Sequence, residues 1–394
     1  MRTRIAIFLA VAVMASGAAF VTDRNDPAAA GMDAARLARI EARMQKFVDD
    51  GKAAGFVALV ARHGHVATLT ATGFQDREKR IPMRTDSIFQ IMSMTKPVTC
   101  TGVMILMEEG RLALIDPVEK YLPEFAGQKL AGGAKPARLV TIRDLMTHTS
   151  GLPGGTPKGY VKADHTLAEV VSLGSQQPLE FEPGTKWSYS NMGIATLGRI
   201  IEVVSGKPYE EFITERIFSP LNMKDTHFFL PAAKHVRLAV AYTEKDGKLE
   251  RFDADPFRSG AKYPGPEGGL YSTASDMACF YQMMLDKGIL DGHRILSPTA
   301  VAVMTTVHTG ELKAGFAPGM GWGLGWSVVR EPAGMLRLNS MGSFGHGGAY
   351  RTYGWVDPAK DMLQVLMYQR TNGGGDVADE INSFLALAAA AIER

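Results

Sequence analysis

The stretch "QIMSMTKPVTCTGVMILMEEG", Gln90–Gly110, sets Ser93 and Lys96 three residues apart at the front of a strongly apolar run. The pattern predicts a helix over Ser93–Glu109, ended by Gly110. A serine at a helix start ordinarily caps an orphan N–H. A lysine at the third helical position does not suit that reading, because its charge sits near the positive end of the helix dipole. If it points inward it is desolvated as well, and both effects favour the neutral amine. A neutral amine within reach of a hydroxyl can take its proton and leave an alkoxide-like nucleophile.

The flanking sequence supplies a frame for this helix. Upstream, Met32–Asp50 is an amphipathic helix closed by Gly51, and "GFVALVARHGHVATLTATG" alternates like two antiparallel strands around His63-Gly64-His65. Downstream the pattern is mostly helical. Pro117 opens a short helix, Thr141 and Asp144 form a capping box before "LMTHTSGL", and helices run over Ser190–Ser205 and Pro208–Phe218. After Gly265 comes "GGLYSTASDMACFYQMML", with Thr273 and Asp276 as a second box. Strand-like runs follow at Gly325–Arg330, Met335–Leu338, Tyr350–Val356 and Met362–Tyr368, with a terminal helix from Asp376. The expected fold is α+β: one antiparallel sheet flanked by N- and C-terminal helices, built from about 32–90 and 265–394. A mostly helical insertion over about 91–264 completes a single domain, 20–394. Clefts between two such parts are where ligands bind.

Residues 1–19 differ from the rest. Arg2 and Arg4 precede the apolar Ile5–Met14, and small residues near Ala18 and Ala19 suit cleavage, so an export signal and a periplasmic or secreted protein are expected. Ten or so apolar residues cannot cross a membrane core of roughly 30 Å. The chain has 43 basic and 41 acidic residues, and without Arg2 and Arg4 it has 41 of each. Such a balance gives no bulk field for nucleic acid or an anionic membrane, and neither is expected as a partner. Cys100, on a helix face with Met104 and Met107, reads as a buried free thiol rather than a disulfide partner of Cys279. His63 and His65 read as turn residues, and no metal or other cofactor is expected.

Ser93-x-x-Lys96 is too short a pattern to stand alone. "WSYSNMG" places Tyr189-Ser190-Asn191 at a loop-to-helix boundary, a phenol for proton transfer and an amide for orienting. "FGHGGAYRTYGWV" places His346-Gly347-Gly348 at the start of a strand, where paired glycines admit a close approach and a following N–H can bind an oxyanion. No serine has glycine at both −2 and +2, so the nucleophile elbow of α/β-hydrolases is absent.

In this order the three elements resemble the signatures of the penicillin-recognising serine hydrolases, S-x-x-K, Y-x-N and K-T-G or H-x-G. "LMTHTSGL", "FEPGTKWSYSNMGIATLGRIIEVVSGKPY" and "GGLYSTASDM" resemble the class C β-lactamase-like branch, which includes β-lactamases, D-peptidases, acyltransferases and carboxylesterases. The resemblance covers nearly all of 20–394. It implies Ser93 as nucleophile, Lys96 as its base partner and Tyr189 as proton shuttle. It further implies an oxyanion hole from the Ser93 and Ala349 N–H groups, and Asn191, His346, Gly347 and Gly348 around the substrate. His346 departs from the lysine of true class C lactamases. A histidine with its ordinary pKa near 6.5 is mostly neutral at pH 7, which favours small carboxylic esters over a lactam bearing an obligatory carboxylate. A β-lactamase, a D-peptidase or amidase, and a non-catalytic penicillin-binding sensor remain the alternatives. Arg351 could restore a cation only if a bulge turned it to the His346 face.

Overall fold

The computed structural model describes residues 20, 22, 24–155, 162–252, 254–255, 258–334, 338–372 and 378–393. The expected export signal, most of the strand-like run at Met335–Leu338 and the start of the terminal helix at Asp376 lie outside them. Eight strands form one antiparallel sheet: β1 (Gly55–Arg62), β2 (His65–Asp76), β3 (Ile81–Pro82), β4 (Met320–Trp322), β5 (Ser327–Val329), β6 (Phe344–Gly347), β7 (Tyr353–Asp357) and β8 (Met362–Met367). Their spatial order is β4-β5-β6-β7-β8-β1-β2-β3. N-terminal β1 pairs with C-terminal β8, Val57 opposite Met367 and Arg62 opposite Met362. The β1–β2 hairpin turns at His63 and Gly64, both at positive φ. Such a two-residue turn matches the twist of its strands.

The alternation of β1 has a use other than one wet face, since all eight of its residues are buried. Val57, Leu59 and Ala61 enter one core, and Phe56, Ala58 and Val60 enter another. Each fully buried Val, Leu or Phe contributes roughly 1.5–3 kcal/mol relative to exposure. The second core holds α1 (Ala34–Asp49) and, from the other end of the chain, α9 (Asp379–Ala390). The first core takes α2 (Thr95–Glu108), α3 (Ile142–Met146), α4 (Leu167–Ser175), α5 (Asn191–Ser205), α6 (Tyr209–Ile213), α7 (Ala274–Leu285) and α8 (Pro298–Met304). The α+β arrangement is the expected one.

One of the two expected capping boxes needs adjusting. Thr141 and Asp144 form a full capping box on α3. Thr273 caps α7, but the Asp276 carboxylate instead accepts from the Asp225 N–H and the Thr226 hydroxyl. That box has one arm, because a tertiary partner outcompetes the local one.

Candidate active site

Ser93 is not a helix cap. It lies in a 3₁₀ turn, Met92–Met94, entered through Met92 at φ +48°. The helix begins at Thr95, with Met94 in the cap position and no side-chain cap, so Lys96 is the second helical residue rather than the third. The Ser93 Oγ instead lies 2.9 Å from the Lys96 Nζ. Lys96 is fully buried. Its amine also donates to the Glu267 carbonyl oxygen at 2.6 Å and stands 4.7 Å from the centre of the Tyr189 ring. Glu267 belongs to a glycine loop that wraps the front of α2, where Ile91 donates to the Leu270 carbonyl and the Thr99 hydroxyl to that of Pro266. A Cβ on Gly269 would fall 1.8 Å from the Pro264 oxygen, so only glycine fits. Sequence reasoning missed the Glu267 carbonyl; the glycine pair in "GGLY" was its visible trace.

The Tyr189 hydroxyl meets the His346 Nε2 at 3.4 Å. His346 Nδ1 is 2.7 Å from the Gly347 carbonyl oxygen, which can only accept, so Nδ1 carries the proton and the neutral ring offers Nε2 as acceptor. Next to Tyr189, Ser190 caps α5 by accepting from the Gly193 N–H and donates to the Pro153 carbonyl. Asn191 is anchored through its own N–H to the Gly154 carbonyl. The tripeptide His346-Gly347-Gly348 ends a strand rather than starting one, and β6 is interior, paired with both β5 and β7. A Cβ on Gly348 would lie 2.4 Å from the Ile91 carbonyl oxygen. That close approach seats the turn Gly348–Arg351 two residues upstream of Ser93. Ala349 is exposed on this turn, and among the described residues its N–H meets no acceptor. The fold thus gathers Ser93, Lys96, Tyr189 and His346 directly, with the Gly347–Ala349 segment alongside.

Comparison with known proteins places this arrangement. The family model described as beta-lactamase matches residues 40–388. The chain belongs to the beta-lactamase family. It is a serine hydrolase of that fold. It is 31% identical to the esterase EstB of Burkholderia gladioli, over 87% of this chain and 93% of that one. It is 32% identical to penicillin-binding protein 4 of Amycolatopsis lactamdurans, over 77% of each chain. The solved structure of EstCE1, a hydrolase with promiscuous acyltransferase activity, superposes with a TM-score of 0.79 at 26% identity, covering 91% of this chain and 99% of that one.

Within this beta-lactamase fold, the electrostatics differ from expectation at His346. Its ring is desolvated by burial, and the charge on Lys96, whenever that amine is protonated, acts in the same direction. Together they outweigh the Gly347 hydrogen bond and lower its pKa to about 3. The ordinary value near 6.5 does not apply, and His346 contributes no titration step near neutrality. Arg351 supplies no cation to His346 by way of a bulge. It sits in the turn at φ +69° and donates to the Asn372 carbonyl. Cys100 and Cys279 are both free thiols. Cys100 is buried against Gly325, where a Cβ would come within 2.5 Å of its sulfur.

An aromatic wall borders the tyrosine. Phe316, 53% exposed, packs edge-on against Tyr189 at 5.2 Å and Trp187 at 5.6 Å. The loop Lys313–Gly325 therefore shapes one side of the site. Pro153–Lys162 is a second stretch that the sequence offers as setting the pocket size, and its residues 156–161 lie outside the described ones.

Proposed function

We propose that the protein hydrolyses small carboxylic esters through an acyl-enzyme on Ser93. Deprotonated Lys96 takes the Ser93 proton as Oγ adds to the ester carbonyl. The Ser93 and Ala349 N–H groups receive the developing oxyanion, each such donor being worth about 2.7–4 kcal/mol to a transition state. Tyr189 relays the proton to the departing alkoxide, and water then attacks the acyl-enzyme to release the acid and restore Ser93. Asn191, Gly347 and Gly348 line the substrate.

The observation that carries the ester reading is His346. A buried, neutral imidazole with Nδ1–H tied to the Gly347 carbonyl gives no fixed charge to a substrate carboxylate. It offers Nε2 only as an acceptor, which suits an uncharged substrate. Parallel assays with nitrophenyl butyrate, nitrocefin and a D-alanyl peptide test this. The ester is expected to show the highest kcat/KM; a higher value for nitrocefin or the peptide assigns the site to that class instead. Labelling of Ser93 that never clears, with no turnover of any of the three, assigns a penicillin-binding sensor.

Export belongs to the same reading and rests on Arg2, Arg4 and the apolar Ile5–Met14. N-terminal sequencing of protein from the periplasm or medium should begin near Phe20. An intact cytoplasmic chain refutes it.

A further inference from the structure

One buried imidazole has no part in the chemistry above. His148 follows α3 and is 1% exposed, with its backbone at φ +59°. Non-glycine residues seldom occupy that region. The unusual backbone brings three contacts to bear on one short segment. The His148 carbonyl accepts the Ser188 N–H at 2.9 Å, and the ring Nδ1 accepts the Ser190 N–H at 3.2 Å. Between those two points the imidazole packs on the Tyr189 ring, with centroids 4.5 Å apart. Tyr189 is therefore held by the residue before it, by its own ring face and by the residue after it.

The ring chemistry is fixed by these partners. A backbone N–H can only donate, so Nδ1 must hold a lone pair and the proton lies on Nε2. That Nε2 is buried and has no hydrogen-bond partner among the described residues. An orphaned buried donor is unfavourable, and a side chain serving only to fill space would not incur it. Burial, the Lys96 charge and His346 hold the His148 pKa well below 6.5, which keeps the Nδ1 lone pair available at ordinary pH. The groups facing the ring are Tyr189, Lys96 from the start of α2, His346 from β6, and the indoles of Trp187 and Trp322.

We propose that His148 is a positioning residue for Tyr189, clamping Ser188–Ser190 so that the phenol meets the Lys96 amine with its ring and His346 with its hydroxyl. This rests on the reading of Tyr189 as the proton shuttle. A misplacement of about 1 Å can cost on the order of 100-fold in rate.

Two substitutions separate this from a packing role. His148→Phe keeps an aromatic ring and removes the acceptor. His148→Asn suits left-handed backbone and restores an oxygen that can accept the Ser190 N–H. With nitrophenyl butyrate, His148→Phe is expected to lower kcat by about 10–100-fold with KM changed less than about threefold, and His148→Asn to recover at least about fivefold of the loss. A His148→Phe enzyme with kcat within about threefold of wild type, or a His148→Asn enzyme no better than it, overturns the proposal. Should His148→Phe fail to fold, ¹⁵N spectra of the wild-type imidazoles decide. For His148 the Nε2–H tautomer, without titration between about pH 5 and 9, is expected; an Nδ1–H tautomer of His148, or titration of its ring in that window, refutes the clamp. Fluorophosphonate labelling of wild-type Ser93 runs alongside. If Ser93 is not labelled, the catalytic reading fails, while the spectra still judge the clamp.

Discussion

The starts of α2 and α3 each place a hydroxyl three residues before a charged side chain, and they use it in opposite ways. At α3, Thr141 and Asp144 turn both side chains onto the backbone, satisfying two orphan N–H groups reciprocally. At α2, Ser93 and Lys96 turn toward each other, 2.9 Å apart, and the cap position carries no side-chain bond at all. The difference lies in the backbone that leads in. Thr141 is extended, the ordinary geometry for a cap, whereas Ser93 arrives through a 3₁₀ turn with Met92 at positive φ. A hydroxyl used on its own backbone is unavailable for chemistry; one denied that use is available.

The largest expected effect tests that contrast at α2. Ser93→Ala should lower turnover by about 10³-fold or more. Because Ser93 caps nothing, stability should stay within about 0.5 kcal/mol of wild type, less than the usual loss of a cap. Urea titration read beside the ester assay measures both. Retention of near wild-type turnover removes the nucleophile from Ser93, and a loss of stability above about 1 kcal/mol removes the contrast with α3.

Acid separates the two regions next. Burial alone would raise the Asp144 pKa, but hydrogen bonds from Arg138 and Thr141 overcome it and hold the carboxyl below its usual range. Its stabilising contribution is present above the unfolded value of 3.8 and is lost only as pH falls below that value. His346 is depressed from 6.5 to about 3. The unfolded chain binds this proton first, so stability is full above pH 6.5 and declines from there toward pH 3, by about 1.4 kcal/mol per pH unit. His148, depressed in the same direction, adds to the decline. Unfolding at about pH 7 and 4.5 should therefore find His346→Asn less acid-labile than wild type by about 2–3 kcal/mol. Parallel pH dependences for the two proteins refute the buried-neutral account of His346.

Much of the frame was legible in the sequence because it is local. The helix expected over Ser93–Glu109, the Thr141 box, the helix end at Ser205 and the His63-Gly64 hairpin each rest on neighbours a few residues apart, and each stands close to where it was expected. Ser93, Lys96, Tyr189 and His346 were legible as chemistry, yet their geometry was not. The Glu267 carbonyl on Lys96 and the imidazole on the Tyr189 hydroxyl bridge more than 150 positions, as the separations of 171 and 157 show. No periodicity encodes such pairs. The missed one-armed box at Thr273 and the missed clamp at His148 share that cause. "LMTHTSGL" showed a histidine between two threonines, but nothing local announced that its ring would receive the Ser190 N–H from 42 residues away.

The smallest expected effect completes the comparison from the α3 side. Thr141→Ala removes the oxygen that accepts the Asp144 N–H and the hydroxyl that donates to the Asp144 carboxylate. Loss of such a cap costs typically about 1 kcal/mol. The carboxylate keeps the Arg138 guanidinium at 2.6 and 2.9 Å and the Thr141 backbone N–H at 2.9 Å, so it is not left buried and unpaired. Those surviving bonds limit the loss to the cap itself. They also hold the chain that runs on to His148, where the Thr149 N–H donates to the Asp144 carbonyl through backbone alone. Thr141→Ala should accordingly lower unfolding stability by about 1 kcal/mol while kcat on the ester stays within about twofold of wild type. If its kcat instead falls tenfold, the two helix starts are coupled through the α3–His148 turn. The α3 box would then belong to the positioning of Tyr189, and the separation between a structural and a chemical hydroxyl would not hold.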